Sequence, residues 1–405
     1  MLTPREALAI MLDAEEPLAP RTVDLAEALG RILAEDVVAQ EAIPPFLNSA
    51  MDGYAVRGAD LGAIPAGLRV IGDRAAGRVG DEVVEAGTAL RIMTGAPLPA
   101  GADTVVPVEL TRRDGDRVEI LKAVRTGLNI RQAGEDVQAG ETVLSRGTLL
   151  RPAELGLLAA LGRPRVAVVP APVVAVVTTG DELVDVGADL GPGQIRDANL
   201  HSLCAQVRAC GAIPLPVPRV PDEAGVLEAA LRDALERADA VITNGGISMG
   251  EYDHIKPVLE RLGARQMFWQ VAQKPGKPLA FSLRDGKPLF GVPGNPVSAL
   301  ICFEEYVRPA LRRMMGQVRL HRPERTARWA EPQKKAADDR RVHFHRVHLR
   351  EQDGELWATS TGPQGSGILT SMTRATALAL LAAEAHDVQA GDPVTVHLMD
   401  EAEDH

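Results

Sequence analysis

The sequence predicts an α/β protein of several domains, and three observations lead to this prediction. Between about residues 173 and 315, short apolar runs alternate with helical patterns, which is typical of a mostly parallel sheet with helices on both faces. Residues 41–140 and the tail from about residue 319 contain short Val- and Ile-rich runs between glycines and prolines, which predicts β-rich domains. With 405 residues, the chain is long enough for about two to four domains.

Composition limits the functions that the chain can have. Apolar residues make up 45% of the chain but aromatic residues only 3%, so its cores are expected to consist mainly of aliphatic side chains. A net charge of −11 disfavours nucleic acid and anionic membranes as partners. We see no apolar run long enough to cross a bilayer and no signal-peptide pattern at the N-terminus. Three cysteines form no disulfide framework, which favours a reducing, cytoplasmic location.

Local patterns predict individual helices and strands. Thr3-Pro4-Arg5-Glu6 is a capping box with proline at the first helical position, so a helix is expected to start there. A tight turn at Arg284-Asp285-Gly286-Lys287 predicts a hairpin over residues 279–292. Further helices are predicted near residues 24–30, 153–162, 195–210 and 222–237. Further strands are predicted at residues 104–110, 117–121, 173–177, 213–217 and 240–243.

The stretch GVPGNPVSAL, residues 291–300, places rigid backbone between an apolar run and a helical pattern. Pro293 restricts the turn, Gly294 permits a positive φ, and Asn295 can cap a helix that begins at Pro296. With the small Ser298 in its first turn, such a corner favours an anion, because free N–H groups and the helix dipole point outward. The alternative is a strand-to-helix connection that is merely tight.

Other polar loops follow the predicted strands of the same region. Lys274 and Lys277 lie just upstream in KPGKP, where they could bind phosphate or belong to a solvated turn. TTGDEL follows the strand at 173–177, and NGGISMGEYDH, with Gly245, Gly246 and Ser248, follows the strand at 240–243. Because ligands of parallel sheets lie beyond the carboxyl ends of the strands, these loops together predict a crevice for a phosphate-bearing ligand.

Carboxylates in these loops suggest a metal. Glu182, Asp222 and Asp253 offer the hard oxygen ligands that suit Mg²⁺, which would neutralise phosphates. Plain helix capping is the alternative for Asp222, and solvated loop acids are the alternative for Glu182 and Asp253.

Histidines and cysteines are not assigned a metal. His343, His345 and His348 alternate as on a strand and lack a completing ligand motif, so we expect a solvated strand face. Cys204 and Cys210 fall in a helical pattern and are predicted to pack.

Nine motifs in succession resemble the molybdopterin molybdenumtransferase family, of the MoeA and gephyrin-E type. They run from residue 43 to residue 372, which is nearly the whole chain. The motifs are IPPFLNSAMDGYAV, RIMTGAPLPAGADTVVPVE, IRQAGEDV, TTGDEL, GQIRDAN, TNGGISMGEYDHIK, KPGKPLAF, GVPGNPVSAL and GSGILTSM.

The resemblance implies four domains and a homodimer. It implies a helical linker domain from residues 1–40 and 141–170, an inserted β-rich domain at 41–140, a three-layer α/β/α molybdopterin-binding domain at 171–318, and a C-terminal β-barrel at 319–405. It further implies an active cleft between one subunit's α/β domain and the other subunit's inserted domain. Residues of the inserted domain can then act in catalysis, although composition alone indicates only turns around them.

The resemblance also implies a reaction: molybdate and adenylylated molybdopterin give molybdenum-loaded molybdopterin and AMP, with Mg²⁺ assisting. The implied catalytic residues are Asp52, Thr94, Asp136, Glu182 and Asp253. The implied metal ligands are Glu182, Asp222 and Asp253. The candidate substrate- and phosphate-binding residues are Arg131, Gly245, Gly246, Ser248, Lys274, Lys277, Pro293, Gly294, Asn295, Pro296 and Ser298. Transient contacts with a molybdopterin adenylyltransferase and with cofactor-using enzymes are further expectations.

The chain departs from the family pattern at one position. After GSGILTSM the family usually continues with Ala-Asn, whereas this chain has Arg374-Ala375-Thr376, which concerns a local contact of the C-terminal domain.

Two rival functions are considered. The first rival is adenylyl transfer from ATP to molybdopterin, against which the long inserted domain and the GVPGNP corner argue. The second is a non-catalytic dimeric scaffold, against which the retained acidic motif positions argue.

Overall fold

The computed structural model describes residues 1–246 and 254–399, and the chain divides into two compact units. Unit 1 comprises Met1–Arg21, Gly30–Ile32 and Val168–His405. Unit 2 comprises Thr22–Leu29 and Leu33–Ala167. Ser248 and Asp253, two of the candidate site residues, lie outside the described residues.

The helices of the described residues are short. They are α1 (Pro4–Asp13), α2 (Pro152–Ala160), α3 (Ala198–Ala209), α4 (Ala224–Arg237), α5 (Ile255–Arg261), α6 (Pro296–Cys302), α7 (Arg308–Met314) and α8 (Thr370–Thr373). A π-helical segment, Phe303–Val307, joins α6 to α7. The capping box of α1 is confirmed, since Thr3 and Glu6 each accept a hydrogen bond from the other's backbone N–H. None of these helices has the length and hydropathy that a membrane span needs.

The strands up to the middle of the chain are β1 (Arg21–Asp24), β2 (Ile32–Leu33), β3 (Val37–Val38), β4 (Asn48–Ser49), β5 (Gly53–Val56), β6 (Ala66–Arg74), β7 (Thr88–Ile92), β8 (Thr104–Pro107), β9 (Thr111–Asp114), β10 (Arg117–Ile120), β11 (Ile130–Arg131), β12 (Thr142–Leu144), β13 (Arg165–Val169) and β14 (Val173–Thr179). The later strands are β15 (Leu183–Val184), β16 (Ile195–Arg196), β17 (Ile213–Val220), β18 (Ala240–Asn244), β19 (Arg265–Gln270), β20 (Gln273–Lys274), β21 (Pro278–Arg284), β22 (Lys287–Val292), β23 (Glu324–Trp329), β24 (Gln333–Lys334), β25 (Val342–Gln352), β26 (Glu355–Ser360), β27 (Ala377–Leu381), β28 (Asp387–Val388) and β29 (Pro393–Leu398). The helix predicted near residues 24–30 is only a 3₁₀ turn, Leu25–Glu27, because the chain up to Asp24 is a strand.

Unit 2 is built mainly of strands, as its glycine- and proline-rich sequence predicts. Its largest sheet has the order β8-β5-β7-β6-β10-β9. Apolar side chains of β5, β8 and β10, among them Tyr54, Val106 and Val118, are buried together on one face. Two small two-stranded sheets, β11-β4 and β12-β3, also lie in this unit.

Unit 1 contains the predicted three-layer α/β arrangement. Its sheet has the order β17-β14-β18-β22-β21-β19, with the first four strands parallel. Side chains alternate between the two faces: Val174 and Val176 of β14 pack toward α1, α3, α6 and α7, whereas Ala175 and Val177 pack toward α4 and α5. The predicted hairpin is confirmed as β21 and β22, with positive φ angles of 51° at Asp285 and 77° at Gly286.

The C-terminal part of unit 1 is a closed barrel. Strands β25, β26, β23, β29 and β27 pair in that order, and β27 pairs back with β25. Thr376 lies at the edge of β27, and its hydroxyl accepts a hydrogen bond from the Leu349 N–H at 2.8 Å. The threonine at the usual asparagine position therefore has a structural role in the barrel.

Candidate active site

A cavity of about 490 Å³ lies at the carboxyl ends of the parallel strands in unit 1. It follows Thr179 of β14, Asn244 of β18 and Val292 of β22, as the strand order predicts. The candidate residues that line it are Glu182, Asp222, Gly245, Gly246, Pro293, Gly294, Asn295 and Pro296. The structure therefore brings residues of TTGDEL, NGG and GVPGNP, together with Asp222, to one opening.

The Pro293–Pro296 corner begins a helix as predicted. The predicted side-chain cap, positive φ angle and free N–H groups are only partly present. Asn295 is the N-cap residue and Pro296 the first helical residue, yet the Asn295 side chain makes no capping hydrogen bond. Gly294 does not adopt a positive φ. Pro296 has no N–H, and the Val297 N–H donates to the Ser366 carbonyl at 3.1 Å. The corner therefore offers fewer free amides to an anion than its sequence predicts.

Two asparagines fix this corner. The Asn244 side chain donates to the Pro293 carbonyl at 2.7 Å, and it accepts a hydrogen bond from Asn199 at 2.8 Å. Asn199 also donates to the Gly294 carbonyl at 2.6 Å. Sequence reasoning missed both residues. The available signals were a polar residue that ends a buried strand and an asparagine in the GQIRDAN motif.

Hydroxyls at the end of β14 hold two aspartates. The buried Thr178 hydroxyl donates to Asp197 at 2.6 Å, and Asp197 also caps α3 by accepting the Leu200 N–H at 2.9 Å. The Thr179 hydroxyl donates to Asp222 in a short hydrogen bond. The alternative that Asp222 is a helix cap is wrong, because Glu223 is the N-cap residue of α4.

Gly245 needs to be a glycine. Its φ is 95°, and a Cβ atom there would lie 2.7 Å from the Thr179 carbonyl oxygen. The chain can thus turn sharply after β18 and keep its backbone beside β14. At Gly245 the cavity is therefore lined by backbone atoms and not by a side chain.

The two lysines of KPGKP line an adjoining cavity of about 610 Å³. Pro278 and Asn295 line both cavities, so the two openings share a border. Lys274 and Lys277 are exposed, whereas Ser298 is buried, with 3% of its surface exposed. The structure therefore separates the candidate residues of unit 1 into a carboxylate-bearing cavity and a lysine-bearing cavity.

A buried network supports the lysine loop from below. The fully buried Gln273 donates to the Gly276 carbonyl at 3.1 Å and accepts a short hydrogen bond from the Tyr306 hydroxyl. Gly276 has a φ of 89°, and a Cβ atom there would lie 2.6 Å from the Cys302 sulfur. Through Gln273, the loop between the two lysines is therefore hydrogen-bonded to the helical segment that follows the Pro293–Pro296 corner.

The predicted solvated face of the three histidines is wrong for His343, which is buried because β20, β26 and β27 all border its strand. Its Nε2 lies 2.9 Å from an Asp339 carboxylate oxygen. Burial lowers the pKa of His343, although Asp339 acts in the opposite direction, and burial lowers the pKa of His345 to about 4. With Lys274, Lys335 and Arg346 they line a cationic cavity of about 240 Å³. Residues 1–246 and 254–399 contain no group of three His, Cys, Asp or Glu that could hold a metal.

The cysteines have the packing role that the sequence predicts. Cys210 is buried in the core of unit 1, and Cys204 packs against that core. Burial raises the pKa of Cys210 to about 11, so its thiol is unreactive.

The four candidate residues of unit 2 form two pairs: Asp52 with Thr94, and Arg131 with Asp136. The Asp52 carboxylate accepts hydrogen bonds from Thr94, which lowers its pKa. Arg131 and Asp136 line a separate cavity of about 410 Å³ together with Asn48, a residue that sequence reasoning missed. An asparagine within a motif otherwise rich in small and apolar residues was the available signal.

Three family models match the chain in succession. The MoeA N-terminal region (domain I and II) matches residues 2–162, a probable molybdopterin binding domain matches residues 175–313, and the MoeA C-terminal region (domain IV) matches residues 326–399. The second match covers the carboxyl ends of β14, β18 and β22, which border the cavity of about 490 Å³.

Similar proteins cover nearly the whole chain. A molybdopterin molybdenumtransferase of Haemophilus influenzae is 39% identical over 403 residues, which is 98% of each chain. Molybdopterin molybdenumtransferase 2 of Mycobacterium tuberculosis is 40% identical over 390 residues, 93% of this chain and 94% of the relative. The crystal structure of a molybdopterin biosynthesis MoeA protein from Pyrococcus horikoshii has a TM-score of 0.82 at 31% identity, covering 98% of this chain and 99% of that chain.

The parallel sheet with its cavity, the β-rich unit and the closed barrel define a transferase of the MoeA class. The chain belongs to the molybdopterin molybdenumtransferase family, and it acts in molybdenum cofactor biosynthesis. This result favours the transferase over the adenylyl-transfer and scaffold hypotheses.

Proposed function

We propose that the protein transfers molybdenum from molybdate to the dithiolene of adenylylated molybdopterin and releases AMP, with Mg²⁺ assisting. The observation that carries this proposal is the pair of adjoining cavities in unit 1. One is lined by the carboxylates Glu182 and Asp222, and the other by Lys274 and Lys277. Such a pair suits a substrate that combines a pyrophosphate with a second, tetrahedral anion.

The carboxylates and the lysines line different cavities, so the carboxylates need not repel the molybdate. Carboxylates alone would repel molybdate, whereas a cationic cavity attracts it. Lys274 also lines the third cavity, with Lys335 and Arg346, so the lysine loop has cationic surroundings on two sides. We therefore assign oxyanion binding to the lysine side and metal binding to the carboxylate side.

The carboxylates of the first cavity fit Mg²⁺. Glu182 is exposed, and Asp222 uses its Oδ1 atom for Thr179, which leaves Oδ2 for a cation. Both residues would hold the ion, with Asp253 as a third candidate that lies outside the described residues. When bound, the ion would offset the negative charge of the pyrophosphate.

Side chains of the protein would bind the anions and position the backbone of the cavity. The lysines would pair with phosphate or molybdate oxygens, since ammonium groups bind such oxygens through charge-assisted hydrogen bonds. Asn199 and Asn244 would hold the Pro293–Gly294 backbone in position, so that the cavity needs little rearrangement when the substrate binds.

The experiment is a turnover assay with purified protein, adenylylated molybdopterin and Mg²⁺, in which AMP release is followed with and without molybdate. We expect molybdate-dependent release from the wild-type protein and its loss in Glu182→Ala and Asp52→Ala variants. Glu223→Ala is the matched control, because Glu223 is an exposed neighbour of Asp222 that does not line the cavity.

Wild-type protein that releases no AMP, under conditions in which a family member is active, would refute the proposal. Release that is unaffected by Glu182→Ala would refute the assignment of the metal to the carboxylate side. Omission of Mg²⁺, with a chelator present, should abolish release from the wild-type protein.

The proposal includes a homodimer and transient contacts with the adenylyltransferase that supplies the substrate and with enzymes that receive the product. Light scattering coupled to size-exclusion chromatography should give twice the chain mass of 43.1 kDa. A monomer at the concentrations of the turnover assay would exclude the dimer from the mechanism.

A further inference from the structure

The lysine-bearing cavity has walls from two parts of unit 1. One wall includes the lysine loop with Asn295 and Ser298, and the other includes residues 364–366, in the connection between β26 and β27 of the barrel. The Val297 N–H donates to the Ser366 carbonyl at 3.1 Å and so joins the two walls. The width of the cavity therefore depends on how α6 is held against the barrel.

A stripe of helical residues, spaced four apart, packs on the closed barrel. Val297 and Ile301 of α6 belong to one apolar cluster with Leu378 of β27. Four residues after Ile301, Glu305 of the π-helical segment contacts His397 of β29. Leu378 and His397 lie opposite each other in the antiparallel pair of β27 and β29. The stripe therefore crosses two neighbouring barrel strands, and its last contact is polar.

This polar contact is a histidine between two carboxylates. The Nδ1 atom of His397 lies 3.0 Å from both carboxylate oxygens of Glu305, and its Nε2 atom lies 3.3 Å from an oxygen of Glu324. The side chains of His397 and Glu305 are only 14% and 12% exposed. A neutral imidazole has a single N–H group and can serve one carboxylate, whereas an imidazolium serves both. The geometry therefore indicates a protonated histidine.

Charged groups from several neighbouring elements face His397. Burial lowers the pKa of His397, but the hydrogen bond to Glu305 and the charges of Glu305 and Glu324 outweigh burial, so that the pKa is raised overall. Burial lowers the pKa of His321, in the connection before β23, and so do the charges of His397 and of Arg308 in α7. His321 is therefore the less basic of the two histidines, and the glutamates are left to His397.

We propose that His397 is a positioning residue for the lysine-bearing cavity: in its protonated form it holds Glu305, and with it α6, against the barrel. As the pH rises through the pKa of His397, the imidazolium loses its proton and its attraction to Glu305. The wall at residues 364–366 is then held less firmly against α6, and oxyanion binding weakens. This inference rests on the proposed function, which gives the cavity an oxyanion to bind.

The experiment measures molybdate binding to the full-length protein by calorimetry, without Mg²⁺ or molybdopterin, at pH values on both sides of the pKa of His397. We expect the affinity of the wild-type protein to fall about threefold to tenfold with rising pH, the size of coupling that packed contacts transmit. His397→Gln, whose amide has no charge, should bind molybdate more weakly than the wild-type protein at low pH and equally well at high pH. His201→Gln is the control, because His201 is exposed on α3 and does not line the cavity.

Thermodynamic linkage provides a second measurement. If protonated His397 favours molybdate, molybdate must raise the pKa of His397 by the logarithm of the same factor. NMR of the histidine rings in the wild-type protein, with and without molybdate, measures this pKa even if His397→Gln does not fold. In Glu305→Gln the rise should disappear, because the histidine no longer acts on α6. A rise that persists in Glu305→Gln would show a direct attraction by the anion and overturn the positioning role.

Failure of this inference can be told apart from failure of the proposed function, because neither measurement involves turnover. A His397→Gln variant that is weakened equally at every pH would show a contact that serves only the fold, and this would overturn the inference. Equal molybdate affinities of His397→Gln and the wild-type protein at every pH, or no molybdate binding at all, would also overturn it. The expected pH dependence supports the inference even if AMP release is absent.

Discussion

Asp52 and Thr94, which are 42 residues apart in sequence, form a double hydrogen bond. The Oδ1 atom of Asp52 accepts the Thr94 N–H at 2.7 Å and the Thr94 hydroxyl at 2.8 Å. The antiparallel pairing of β5 with β7 places Gly53 opposite Ile92 and so brings the two residues together. The N–H group lowers the pKa of Asp52 most, followed by the hydroxyl.

This relationship leads to the first prediction. Thr94→Val removes the hydroxyl and should raise the pKa of Asp52, because one of the two bonds that favour the charged carboxylate is lost. We also expect AMP release to fall by about fivefold to tenfold, in keeping with the loss of one charge-assisted hydrogen bond.

Carbonyl NMR of the Asp52 carboxylate across acidic pH measures the pKa. Thr94→Ser keeps the hydroxyl and should leave the titration unchanged. Because the folded-state pKa is lowered, the contribution of Asp52 to stability is present above its unfolded pKa and is lost as the pH falls. Identical titrations in the valine and serine variants would contradict the prediction.

The second prediction concerns the asparagine pair. Asn244→Leu leaves the Pro293 carbonyl without its side-chain donor and removes one of the two acceptors of the Asn199 amide, which should cost about 1–3 kcal/mol of the free energy of unfolding. AMP release should fall by more than this loss of stability explains, because the corner of the cavity is no longer held. Urea denaturation and the turnover assay measure the two effects.

Ile242→Val is the matched control for Asn244→Leu. It lies in the same strand, points into the core, and should cost about 1 kcal/mol with little change in AMP release. If both variants reduce AMP release to the same extent, the asparagines have no specific role.

The third prediction concerns the buried support of the lysine loop. Tyr306→Phe removes the hydroxyl that donates to Gln273, and should raise the KM for molybdate several-fold with a smaller effect on kcat. The reason is that Gln273 then holds the Gly276 carbonyl less firmly, so that Lys274 and Lys277 are less well placed. We expect a loss of about 1 kcal/mol of stability.

Tyr54→Phe is the control for a buried tyrosine, since Tyr54 belongs to the core of unit 2 and does not line the cavity of the two lysines. It should leave the KM for molybdate unchanged. Equal kinetic parameters for Tyr306→Phe and the wild-type protein would show that the network supports only the fold.

The fourth prediction follows from Glu15, which is buried with 3% of its surface exposed and whose Oε1 has no partner among the described residues. Burial raises its pKa to about 8, although the charge of Arg313 acts in the opposite direction. Between the ordinary pKa of 4.5 and about 8 the folded state therefore binds more protons than the unfolded state. The protein should lose stability as the pH rises through this window.

Glu15→Gln should raise the Tm at pH 8 and have a much smaller effect at pH 5, because the amide cannot ionise. Thermal unfolding at a series of pH values measures this. Glu16→Gln, at an exposed neighbouring position, should leave the pH dependence of the wild-type protein unchanged. A Glu15→Gln variant with the same pH dependence as the wild-type protein would refute the raised pKa.

Local features could be predicted where the residues that indicate a structure are the same residues that form it. The capping box at Thr3 and Glu6, the hairpin turn at Asp285-Gly286 and the start of α6 at Pro296 all involve backbone geometry that neighbouring residues impose. The prediction of a solvated histidine face was wrong at His343 for the opposite reason. Alternation along β25 shows which side chains share a face, but not that other strands and a loop cover that face.

By itself, the sequence determined the α/β class, the β-rich segments, the family and most of the residues around the cavities of unit 1, because periodicity, turn chemistry and motifs are local properties of the chain. Only the tertiary structure decided which groups are partners. Asn244 holds Pro293, Thr179 holds Asp222, and Thr94 holds Asp52 across 49, 43 and 42 residues of sequence. Strand order and register create these contacts, and they also leave the buried oxygen of Asn48 without a donor. Hydrogen bonds depend on distances in space, which spacing along the chain does not specify.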